Sequence, residues 1–177
     1  MKGRRTRTAM LRSQSLILCK MLVTRAATTD DAILIAAHRR AMFADIPDSQ
    51  DADLDTMTCN FEPWVARMIA ADRYAGWIVS EAERPIASAG LFILDWPPHP
   101  FDPQGEQRGY VLNVYVEPQY RRRGLAHDLT EMCMAEAQRR GIRVITLHAS
   151  DAGRPIYAGM GFNASKEMMY LKPAETV

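Results

Sequence analysis

Arg121, Arg122 and Arg123 stand immediately before Gly124, Leu125 and Ala126. Cations gathered at the start of a helix suit one kind of ligand, an anion. A helix N-terminus exposes N–H groups with no intrahelical partner together with the positive end of the backbone dipole, and phosphate is held by both. Gly124 allows the backbone to come close to a ligand, and Ala126 keeps side-chain bulk away from the same place. The arrangement suits a pyrophosphate. Three arginines taken alone read as a solvated charge run; the elements on either side favour the ligand reading.

Those elements are a strand and a helix. Residues 110–117 are β-branched, aromatic and aliphatic with little break, which predicts a strand buried over most of its surface, and Pro118 ends it. From Leu125 the apolar positions take helical spacing, at Leu129, Met132, Cys133 and Ala137. Arg139, Arg140 and Gly141 then form a cationic last turn and a stop. The loop 119–124 therefore presents the helix N-terminus outward. A further apolar run, 142–149, is expected to lie parallel to the first strand, because a helix of suitable length joins them. The pattern is neither a Walker loop, which needs Gly-Lys-Ser/Thr, nor a dinucleotide-binding loop, since GxGxxG is absent.

The segment 121–126 resembles the acyl-CoA-binding motif of the GNAT superfamily of N-acetyltransferases: Arg or Gln, two residues, Gly, one residue, then Gly or Ala. Arg121, Gly124 and Ala126 match it. Downstream, the family follows its next strand with a small polar residue, a short helix, a tyrosine and a closing Gly-Phe. Here Ser150, the stretch around 153–158, Tyr157 and Gly161-Phe162 match in that order. The resemblance runs from about Val23 to Leu171. It implies an α/β (α+β) fold with a mixed central sheet of about six or seven strands and about four flanking helices, in which two splayed parallel strands form the acyl-CoA cleft.

The implied cofactor is acetyl-CoA. Backbone groups of Val114 and Val116 would pair with the pantetheine arm, while Arg121, Arg122, Arg123, Gly124, Leu125 and Ala126 would hold the pyrophosphate. Ser150 would bond the pantetheine amides, with Gly153 and Arg154 near the CoA phosphates. Tyr157 matches the family's proton donor to the leaving thiolate, and a phenol of pKa about 10 keeps its proton at neutral pH; a core tyrosine packed on the CoA strand is the alternative.

The implied reaction moves an acetyl group from a thioester to a primary amine by direct attack, which requires the amine to lose its proton first. Candidate bases are Glu117, at the end of the strand, and Glu106 and Asp95, which flank a proline-rich loop; Glu117 also reads as a solvent-facing residue. Asn113 and Tyr115 share a strand face and either orient the acceptor or pack. His148 reads as packed or hydrogen-bonded, and His127 as exposed. A backbone N–H of the splayed strand would stabilise the oxyanion. Cys19, Cys59 and Cys133 are odd in number and lack CxxC spacing, so neither a disulfide framework nor a zinc site is suggested, and no metal is expected.

The rest of the chain reads as scaffold. Its 177 residues, 47% hydrophobic and 24% charged, suffice for one domain over 21–177. Residues 1–20 are basic, without an acid, and are expected to be a disordered extension, with Met21 as an alternative start. Their apolar run, Leu16 to Cys19, is too short for a signal peptide. No run suits a membrane span, and a cytoplasmic setting fits.

Leu22–Arg25 reads as a strand, and Thr28 to Asp31 as the cap of a helix with Ile33, Ala36, Ala37 and Ala41 inward. Residues 45–62 hold six acids and no base, either a solvated loop or a lure for a cationic amine. Phe61, Trp64, Val65, Met68 and Ile69 mark an amphipathic helix. Residues 73–81 and 85–95 form a hairpin. The loop 96–103, with four prolines, either shapes the acceptor pocket or merely connects. Met168–Leu171 reads as a closing strand.

The favoured function is an acetyl-CoA-dependent N-acetyltransferase acting on a small cationic or peptide amine. The alternative is a non-catalytic acyl-CoA-binding module. Nucleic-acid binding is disfavoured by a net charge of +1 and the lack of a matching aromatic platform. An exposed sheet edge leaves a homodimer open.

Overall fold

Five strands form one mixed sheet in sequence order: β1 (Leu22–Ala26), β2 (Tyr74–Glu81), β3 (Arg84–Asp95), β4 (Gln107–Val116) and β5 (Ile145–Leu147). The computed structural model describes residues 21–45, 50–165 and 167–168. The first four strands pair antiparallel and β4–β5 pairs parallel. Helices α1 (Ala32–Ala44) and α2 (Asp51–Ala70) pack on one face. On the other lies α3 (Leu125–Arg139), and α4 (Arg154–Gly159) follows β5.

Each face has its own core. Leu125, Leu129, Cys133 and Ala137 of α3 meet Ile86, Leu91, Val111 and Val116 of the sheet. Ala32, Ile35, Ala36, Phe61 and Val65 meet Tyr74, with Phe92 and Leu112 against them. The β2–β3 turn is tight because Ala82 and Glu83 both take positive φ, 48° and 68°, the geometry that matches strand twist in a two-residue hairpin.

One irregularity positions the site. The β3–β4 register slips between Ser88 and Gly90: Ser88 pairs Tyr115, whereas Gly90 pairs Leu112. The extra β4 residue forms a bulge, and Asn113 sits there at φ 56°, a conformation asparagine tolerates better than most residues. Val111 and Val114 therefore both belong to the α3 side, while Leu112 faces the other core and Asn113 bonds Tyr74 there.

The fold is the expected mixed α/β sheet with four α-helices, but five strands are seen among the described residues rather than six or seven. The expected closing strand falls largely outside those residues, as does the extension 1–20. Three local expectations are corrected. The α1 face is only partly the expected one: Ala36 is buried, together with Ala32, Ile35 and His38, whereas Ile33, at 68%, and Ala37 are exposed, because the unbroken apolar run 32–37 carries no phase. The acidic stretch is not a loop beyond Asp51, since α2 starts there and carries Asp51 and Asp53 in its first turn, where the helix dipole favours acids. Finally, β5 spans only three residues of the eight-residue run. No helix among the described residues is long and apolar enough to cross a membrane.

Candidate active site

The parallel pair opens into a fork. β4 and β5 are in register only over Gly109–Val111 against Ile145–Leu147, so Leu112 to Val116 has no β5 neighbour. Backbone groups on that edge must find another partner. Val114 lies on this stretch, as expected from the sequence. The Val116 carbonyl already accepts a bond from Arg121 Nε at 3.0 Å.

At the open end of the fork β4 passes through a 3-10 turn, Pro118–Tyr120, into α3. Gly124 is the N-cap at φ 86°, and no side chain caps the helix. A Cβ on Gly124 would meet only Asp128 oxygens, 3.9 and 4.0 Å away. Glycine is required here by conformation rather than by crowding within the chain. Leu125 is buried and Ala126 packs on the core, which fixes the helix axis and leaves its first N–H groups facing outward. This terminus fits a pyrophosphate.

The three arginines have separate roles. Arg121 is committed to the Val116 carbonyl and to Asp45, at 2.6 Å. Arg123 lies over the Tyr120 ring, 5.0 Å from its centroid, and bonds the Gln119 carbonyl. Arg122, at φ 61° and exposed, makes none of these contacts.

Across the fork, Ser150 starts the turn into α4. Its Oγ accepts from the Gly153 N–H at 3.1 Å, and its carbonyl accepts from Gly153 and Arg154, so the hydroxyl proton remains to be donated. Tyr157 packs over Gly153, where a Cβ would lie 3.0 Å from Tyr157 Cε2, and meets the Phe162 ring edge-on. Burial raises the Tyr157 pKa above its ordinary value, which keeps the phenol protonated. Cys133, close behind it, has its thiol pushed up to about 12 by burial and is inert as a nucleophile.

The structure does not bring the expected bases to this point. Arg84 holds both Glu117 oxygens, at 3.0 and 2.8 Å, and Gln119 donates to one of them. Glu106 is exposed, precedes β4 and lies at the closed end of the β4–β5 pair with Asp95 nearby. His127 is exposed on α3 as expected. His148 is exposed too, and bonds the Tyr110 hydroxyl through Nδ1, joining the two arms where they separate.

Beneath the bulge lies a polar network on the α1/α2 face. Asn113 is fully buried, accepts from Arg39 Nη1 at 2.7 Å and donates to the Tyr74 hydroxyl at 3.1 Å. The Arg39 guanidinium lies 4.7 and 4.6 Å from the Phe43 and Phe61 ring centroids. Desolvation lowers its pKa, against the influence of Tyr74 and Tyr110, although a guanidinium keeps its charge. His38 shares a bond of 2.8 Å with Ser88 and stacks on Tyr115; burial lowers its pKa while the Glu117 charge opposes this. Asn113 and Tyr115 thus share the expected face, packed into this network. Arg39 was not singled out from sequence, though it had a signal: a cation at helical spacing between buried Ile35 and half-buried Phe43.

The forked parallel pair with an uncapped helix N-terminus at its mouth is an arrangement able to take an extended ligand that ends in an anion. Residues 36–162 match the model described as Acetyltransferase (GNAT) family, and the chain belongs to that family. These enzymes use acetyl-CoA. The chain is similar to a GCN5-related N-acetyltransferase from Ralstonia eutropha JMP134, with 37% identity and TM-score 0.81 over 86% of this chain and 99% of that one. It is also similar to a predicted acetyltransferase with acetyl-CoA from Clostridium acetobutylicum, with 28% identity and TM-score 0.77 over 86% and 96%. Glucosamine-6-phosphate N-acetyltransferase from Arabidopsis thaliana shares the fold at 14% identity and TM-score 0.59 over 86% and 98%. No curated protein matches the chain significantly.

Proposed function

We propose that this protein is an acetyl-CoA-dependent N-acetyltransferase that acylates a primary amine by direct attack. The observation that carries this reading is the free β4 edge beyond Val111, opening beside the αL Gly124 start of α3. Acetyl-CoA, when bound, supplies an activated acetyl thioester.

The chain's residues provide the rest. N–H groups of Leu125 and Ala126 receive the pyrophosphate, with Arg122 adding an adaptable charge, and Gly124 lets the backbone turn towards it. Arg121 and Arg123 brace the turn. Val114 and Val116 flank the pantetheine arm on one side, Ser150 offers its hydroxyl proton on the other, and Gly153 and Arg154 stand near the phosphates. Tyr157 gives its proton to the departing thiolate.

The amine's proton leaves through Tyr110 and His148. Tyr110 takes it while passing its own hydroxyl proton to His148 Nδ1, and exposed His148 returns the proton to water. Glu117 and Glu106 serve this role less well: one is held by Arg84, and the other is at the wrong end of β4.

The test is thiol release from acetyl-CoA with amine present, coupled to mass detection of an acetylated amine. His148→Ala should lower kcat while acetyl-CoA still binds. Thiol release that never yields acetylated amine would overturn this function.

A further inference from the structure

Among the described residues, nine arginines pair with a carboxylate. Of those that do not, Arg67, Arg122, Arg123 and Arg154 are exposed, and water screens their charge. Arg39 is different. It is half-buried, and its Nε is buried without a hydrogen-bond partner. One Nη1 bond to Asn113 and two aromatic faces are its visible compensation. A cation withdrawn from water without an anion is costly.

Its surroundings hold it in one position. The flanking rings fix the plane of the guanidinium, and Asn113, locked to Tyr74, fixes its rotation. Ordering costs are thus met before anything binds. The place is equally specific: Asn113 is the bulge residue where β4 runs without a β5 neighbour. Tyr110, which Arg39 influences electrostatically, reaches His148 on the other arm of the fork. Arg39 therefore stands below the fork on the side away from α3, where an acceptor must enter if the donor thioester occupies the edge.

We propose that Arg39 binds a carboxylate on the acceptor, so that the amine acetylated is that of a free amino acid or a closely related amino-carboxylate. The inference rests on the acetyl-transfer reading above. A single guanidinium balances one negative charge, and the apolar rings beside it disfavour the excess charge of a phosphate dianion. Three of the six acids that pointed towards a cationic amine are engaged elsewhere: Asp51 and Asp55 with Arg40, and Asp45 with Arg121.

The full chain is assayed for thiol release with the twenty L-amino acids, β-alanine and γ-aminobutyrate, each beside its carboxamide, and with phosphoethanolamine and spermidine. Calorimetry in saturating CoA gives binding of the same compounds independently of turnover. At least one amino-carboxylate should be acetylated with kcat/KM about 10- to 100-fold above its amide, the range of a charge-assisted hydrogen bond. Arg39→Met should remove that preference mainly through KM, and Arg39→Lys should restore part of it. Preference for amides, spermidine or phosphoethanolamine would overturn the proposal, as would no turnover or binding of any amino-carboxylate by protein that still binds acetyl-CoA. Loss of the preference in neither variant would also overturn it. Failure to bind acetyl-CoA at all would instead strike the acetyl-transfer reading.

Discussion

The two sides of the fork are built by different means. The donor side is made of backbone: an unpaired strand edge, an uncapped helix N-terminus and one glycine at positive φ, all within about twenty residues of chain. The proposed acceptor side is made of side chains from distant elements. Arg39 and Asn113 are 74 residues apart, His38 and Ser88 are 50, and Tyr74 and Asn113 are 39. A backbone site tolerates wide change in side chains as long as the turn persists, whereas a side-chain network is altered by any single substitution. On the proposed reading, one side holds the donor by its backbone and the other selects the acceptor by its side chains.

The largest effect should come from Gly124→Glu, which puts a Cβ at φ 86° and a carboxylate at an anion site. Acetyl-CoA affinity by calorimetry should fall at least about 100-fold, with acceptor-side stability untouched. Tyr157→Phe should lower kcat by about 100-fold or more, the usual worth of a positioned proton donor, while acetyl-CoA still binds. Affinity falling as far as kcat would make Tyr157 a packing residue of the donor side instead.

On the acceptor side, Asn113→Ala leaves Arg39 and the Tyr74 hydroxyl without their bonds and gives up a residue suited to positive φ. It should cost about 2–4 kcal/mol in denaturant unfolding. Asp31 ties the start of α1 to β1 through Arg25, at 2.8 and 2.6 Å, and through the Thr28 N–H. These bonds, the Arg25 fork first, lower its pKa to about 2. A folded pKa below the unfolded value of about 4 gives stability that is complete above that pH and lost as pH falls towards 2. Asp31→Asn should therefore cost about 2 kcal/mol at neutral pH and almost nothing at pH 2.

The smallest effect sharpens the donor side. Asp128 lies in the first turn of α3 beside Gly124, where it favours the helix but repels an anion. Asp128→Asn should tighten acetyl-CoA by about two- to fivefold, a gain that diminishes in high salt.

Legibility in sequence followed the same division. Residues 121–126 announced the donor side because each requirement, positive φ, small side chain and helix start, is local and has its own residue type. The helix α3 and the β2–β3 hairpin were legible for the same reason. The bulge was not, since a slipped register depends on the facing strand and Asn113 differs from an ordinary polar strand residue only once paired. Nor was the short β5, whose run 142–149 starts three residues before its first pairing at Ile145 and continues two beyond its last at Leu147. The pairing of Asp45, Asp51 and Asp55 with Arg121 and Arg40 depends on tertiary approach, so composition alone did not show it.

The separation of the two sides is tested most directly by thermal melting of the wild type, Gly124→Glu and Arg39→Met, each with and without acetyl-CoA. At about 100 times its dissociation constant the ligand adds roughly 2.7 kcal/mol, a rise of about 5–10 °C for a chain of this size. The expected result is that rise in the wild type and in Arg39→Met, whatever its own melting point, and none in Gly124→Glu. A rise retained in Gly124→Glu, or lost in Arg39→Met, would contradict the division of the site into a backbone donor half and a side-chain acceptor half.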